Sequence, residues 1–108
     1  MGKEETNELI EGIVGALQGR IMKIVLYGSV ARGTNTPESD VDIAIILSDH
    51  LSAEEKDKLL DVMVDLDLKY DRVYSVVDIR KEDYEEWRTY IPFYKNVERE
   101  GVVLWTAA

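Results

Sequence analysis

The run Val41-Asp42-Ile43-Ala44-Ile45-Ile46-Leu47 limits the fold more than any other part of this chain. It is apolar throughout except for Asp42, and rich in β-branched residues. At this length such a run reads as a strand, and its continuous apolar character as a strand buried on both faces. A strand of that kind lies inside a sheet and needs cover above and below. The whole chain has 108 residues, enough for one domain with its own core. We therefore expect a single domain over residues 1–108.

The flanking segments supply the cover. Leu9, Ile10, Ile13, Val14 and Leu17 recur at helical spacing, weakened by Gly12 and Gly15 and closed by Gly19. Ile21 to Tyr27 is a short apolar strand that ends at Gly28-Ser29. Residues 30–39 are turn formers, with a short helical turn at Val30 to Arg32. Ser52 and Glu55 make a capping box ahead of a helix whose apolar stripe is Leu59, Val62, Met63 and Leu66. Asp71 to Ile79 reads as a strand, Lys81 to Thr89 and Phe93 to Glu100 as helices, and Val102 to Trp105 as a final edge strand. The predicted class is α/β (α+β): a small mixed sheet with helices packed on it.

Composition removes several functions. There is no cysteine, which excludes a disulfide scaffold, a thiolate metal site and a cysteine nucleophile. The lone histidine, His50, follows Asp49 in a polar turn and is read as a loop residue. Twenty-two acidic against 13 basic side chains leave a net charge of −9, which gives RNA or DNA little to grip. No apolar run approaches a membrane span, and the polar, acidic N-terminus does not read as a secretory signal. The expectation is a soluble, cytoplasmic protein.

The chemistry concentrates in Gly28-Ser29 and, ten residues on, Asp40-Val41-Asp42. Side chains two apart on a strand project from one face, with Cβ atoms about 6–7 Å apart. Two carboxylates that close repel, and a divalent cation between them relieves the repulsion. Oxygen ligands without histidine or cysteine favour Mg2+, with Mn2+ as a substitute. Taken alone, the pair reads equally as a solvated strand entrance. Gly28 changes the balance, because a strand that ends in glycine lets a phosphate approach backbone N–H groups without a Cβ in the way. Ser29 adds a hydroxyl and Arg32 a fork of N–H donors. Together these residues suggest metal-assisted handling of a nucleoside triphosphate.

Leu26-Tyr27-Gly28-Ser29-Val30-Ala31-Arg32-Gly33, followed by Ser39-Asp40-Val41-Asp42-Ile43-Ala44-Ile45, resembles the signature of the polymerase-β-like nucleotidyltransferase superfamily. The similarity is greatest to its minimal stand-alone domains, the MNT antitoxins that act beside HEPN toxins. The resemblance implies transfer of a nucleoside monophosphate, AMP from ATP, to a hydroxyl of a protein or small molecule, with a HEPN-type helical protein as partner. It implies nucleotide-binding roles for Gly28, Ser29, Arg32 and Ser39. It also implies a two-ion Mg2+ site on three carboxylates: Asp40, Asp42 and a third on a neighbouring strand. Asp71 and Asp78 are the candidates for the third. Asp71 is favoured because Val73, Ser75 and Val77 follow on its face, whereas Asp78 suits a capping role.

Other groups read more simply. The tyrosines and tryptophans of the C-terminal half suit core packing or a partner interface better than base stacking. Asp61 and Asp65 fall on an exposed helix face. The rival reading is a binding module of the same fold, catalytically idle, which neutralises a partner by steric contact.

Overall fold

The computed structural model describes residues 1–17, 19–36 and 39–107. Pro37 and Glu38, read above as turn residues, lie outside the described residues. The apolar run is strand β2, Val41–Leu47, and every residue in it is buried except half-buried Asp42. Its antiparallel neighbour is β1, Ile21–Tyr27, with Ile24 opposite Ile45 and Tyr27 opposite Asp42. On its other side β3, Tyr74–Arg80, runs parallel, with Val41 beside Tyr74 and Asp42 beside Ser75. Strand β4, Val102–Thr106, closes the far edge against β1. Among the described residues the strands form one sheet in the order β3-β2-β1-β4.

Helix α1, Lys3–Leu17, and helix α3, Ala53–Tyr70, cover one face. Leu9, Ile13, Leu59, Met63 and Leu66 pack there on Ile24, Val41, Ile43 and Ile45. The capping box of α3 is present: Glu55 N–H donates to Ser52 Oγ at 3.1 Å, and Ser52 N–H to Glu55 Oε1 at 3.0 Å. Gly12 is more than a weak point in α1. A Cβ there would stand 2.5 Å from Val62 Cγ1, so the missing side chain lets α1 and α3 approach closely.

The opposite face is covered only in part. Helix α4, Lys81–Trp87, and helix α5, Pro92–Glu100, place Tyr84 and Val97 over Val25, Ala44, Ile46 and Ile79. Pro92 starts α5, and the extended residue before it, Ile91, separates the two helices. Met22, Tyr27, Phe93 and Tyr94 pack around this core and are only partly buried. A fifth helix, α2 (Gly28–Arg32), springs directly from the end of β1. Among the described residues no helix is long and apolar enough to cross a membrane.

The start of β3 differs from expectation. Helix α3 runs through Tyr70, and Asp71 caps it in the left-handed region at φ 52°, which aspartate tolerates better than most residues. Two carboxylates of α1 fasten this exit. Buried Glu5 accepts the Tyr74 hydroxyl and pairs with Arg72 Nε at 3.2 Å. Glu8 accepts from the Tyr70 hydroxyl at 2.7 Å and from Lys69. These bonds from Lys69 and Tyr70 hold the Glu8 carboxyl below the usual glutamate range, and the Glu8 bond pushes the Tyr70 phenol up to about 12.

Glu8 is held in its charged form, so its contribution to stability is present above the usual glutamate range and is lost as pH falls through its depressed value. Glu8→Gln is therefore expected to lower the urea midpoint at about pH 7, with the gap from wild type narrowing as pH falls below the usual glutamate range. Equal midpoints at neutral pH would contradict a stabilising role for the clasp.

Candidate active site

Asp40 immediately precedes β2 and Asp42 is its second residue. Asp40 is exposed and Asp42 half-buried. Asp42 shares its strand face with Ala44 and Ile46, the face that α4 and α5 leave partly open. Across the sheet, Tyr27, Asp42 and Ser75 stand in one row. The contact that organises the site comes from Gly28. Its φ is +77°, and a Cβ there would collide with Asp42 Oδ2. The bend at the end of β1 therefore rests directly on the carboxylate.

Electrostatics follow from this packing. Burial raises the Asp42 carboxyl above the usual aspartate range, neighbouring Asp40 adds to the shift, and Arg32 opposes it. Burial also raises the Tyr27 phenol, with the charge of Asp42 as the second cause. Among the described residues neither Asp40 nor Asp42 forms an ion pair. Two hard oxygen donors without a salt-bridge partner fit a divalent ion such as Mg2+.

The other expected residues divide. Ser29 is half-buried in α2, whose start no side chain caps. Arg32 ends α2, and its guanidinium pairs with Glu100 of α5 at 3.1 Å. Ser39 is turned to its own loop: its Oγ accepts the Thr36 N–H at 2.9 Å and its N–H donates to Thr36 O at 3.0 Å.

Asp71 requires a correction. It is not a strand residue but the exposed cap of α3, and it lines a depression with Asn35, Thr36, Tyr70 and Arg72. Asp78 pairs with Ile45 on the opposite sheet face and borders a groove beneath α3 with Leu59, Met63 and Tyr74. Among the described residues no three acidic side chains come together as a metal-holding group. The expected triad of Asp40, Asp42 and Asp71 is not assembled. Tyr27, Ser75 and Glu100 are neighbours of the site that the sequence reading did not single out, since each depends on strand register or helix docking.

Residues 8–103 match the family model described as a nucleotidyltransferase domain. The chain belongs to the nucleotidyltransferase domain family. A Methanocaldococcus jannaschii relative provisionally named a protein adenylyltransferase is 35% identical over 98 residues, covering 91% of this chain and 92% of its own. A second relative from that organism, with the same provisional name, is 32% identical over 78 residues, covering 72% and 79%. Among solved structures, a toxin-antitoxin structure with AMP-PNP shares the fold at TM-score 0.60 and 21% identity, covering 94% of this chain and 73% of the matched one. A re-refined structure of the tri-AMPylated Shewanella oneidensis HEPN toxin in complex with MNT antitoxin matches at TM-score 0.57 and 18% identity, covering 99% and 74%. The polymerase-β-like fold expected from the sequence is the fold of this nucleotidyltransferase.

In this nucleotidyltransferase Gly28→Ala meets two penalties. One is left-handed strain of about 1–2 kcal/mol; the other is displacement of the Asp42 carboxylate. The variant is expected to melt several degrees lower. Unchanged melting would show that the close packing at the bend is dispensable.

Proposed function

We propose that this nucleotidyltransferase transfers AMP from ATP to a hydroxyl of a protein, in the manner of an MNT antitoxin acting on a HEPN toxin. The observation that carries this reading is the contact of the Gly28 backbone with the Asp42 carboxylate, which joins the glycine bend and the acid pair into one site. The provisional names of the two archaeal relatives and the AMPylated state of the Shewanella toxin support the choice of AMP and of a protein acceptor.

Asp40 and Asp42 would hold Mg2+, which when bound neutralises phosphate charge and sharpens the electrophilicity of the α-phosphorus. The backbone N–H groups of Gly28 and Ser29 donate to phosphate oxygens. Arg32 adds a guanidinium from the end of α2, where Glu100 otherwise engages it. The acceptor hydroxyl enters from the uncovered end of the sheet face. Its oxygen bonds to the α-phosphorus, the bond to the bridging oxygen breaks, pyrophosphate leaves and the hydroxyl proton passes to solvent. The protein contributes alignment and charge compensation.

The test is incubation with α-labelled ATP, Mg2+ and a HEPN-type protein encoded beside this chain. Label should appear on the partner, with release of pyrophosphate. Asp40→Asn with Asp42→Asn should lower transfer by at least about 100-fold while partner binding persists. A module acting by contact alone would transfer no label and would neutralise its partner equally well with the double variant.

A further inference from the structure

The positions beside Asp42 and Ala44 on both neighbouring strands are uncharged. On β1, Tyr27 stands opposite Asp42 and Val25 opposite Ala44. On the β3 side, Ser75 stands beside Asp42 and Val77 beside Ala44, and Val73, just ahead of the strand, accepts the Val41 N–H at 2.8 Å. Alternation along β3 sends Tyr74 and Val76 to the face under α3, so Ser75 is the β3 residue with the register and the direction to meet a ligand held by Asp42. Ser75 is half-buried, and its hydroxyl brings no formal charge.

We infer that Ser75 occupies the place where a third carboxylate would complete a two-ion site, and that this chain therefore binds one divalent ion with its nucleotide, not two. The inference rests on the nucleotide-binding reading above. Two aspartates supply two negative charges. One divalent ion balances them and takes its remaining ligands from the triphosphate. A second ion would have to be held by phosphate and acceptor oxygens, since the strands of this face offer no further carboxylate beside Asp42 and Glu100 of α5 is engaged by Arg32. Asp71, on the turn that caps α3, lies outside this arrangement.

Equilibrium dialysis against Mn2+ and the non-hydrolysable analogue α,β-methylene-ATP counts the ions directly, without any turnover. The wild-type chain is expected to retain one Mn2+ and one analogue. Ser75→Ala and Asp71→Asn should retain the same, and Ser75→Asp, its fold checked by circular dichroism, should retain two Mn2+ with one analogue. Two ions on the wild-type chain would overturn the inference and leave the nucleotide-binding reading intact. A changed count in Asp71→Asn, or a folded Ser75→Asp that still holds one, would also overturn it. Retention of neither ion nor analogue would overturn both. The wild-type count decides the matter even if Ser75→Asp does not fold.

Discussion

The site depends on one close contact, a glycine backbone pressed against an aspartate carboxylate. Gly28 ends β1 in a left-handed conformation and leaves no room for a side chain above Asp42. Because β1 and β2 are antiparallel neighbours, the bend and the acid come together without any loop having to deliver them. Asp42 tolerates partial burial there, at the cost of a raised pKa, because the face in front of it stays partly open.

The two faces of the sheet do different work. The face under α1 and α3 is a dense apolar layer, tightened at Gly12 and fastened at one end by Glu5 and Glu8. The other face is finished by short helices and partly aromatic packing, including an edge-on contact between Tyr27 and Phe93 with ring centroids 5.5 Å apart. Stability is thus invested mainly on the side away from the acids, and α4 and α5 need cover only the part of the reactive face that α2 and the strand ends do not use.

The features legible in the sequence were local ones. Both ends of β1 and β2 follow from apolar runs bounded by glycine, aspartate and serine, and the capping box of α3 follows from a three-residue spacing. The placement of Asp42 at the start of a buried strand needed only the apolar run that follows it. The preference for Asp71 as third acid rested on a strand beginning at Asp71, and β3 begins at Tyr74. Tyr70 and Tyr74 are fixed by glutamates more than 60 positions away, and these contacts accompany a longer α3 and a strand that starts after Asp71. Ser75 became visible only with the parallel register of β2 and β3, which no local pattern encodes.

The position of β2 within the sheet has a kinetic corollary. Bonded on both edges and covered along most of both faces, its amides are expected to be among the slowest to exchange, opening with the fold as a whole. Asp42 is consequently anchored in a strand bonded on both edges. Whatever the site takes up therefore meets one acid whose backbone is held from both sides by neighbouring strands.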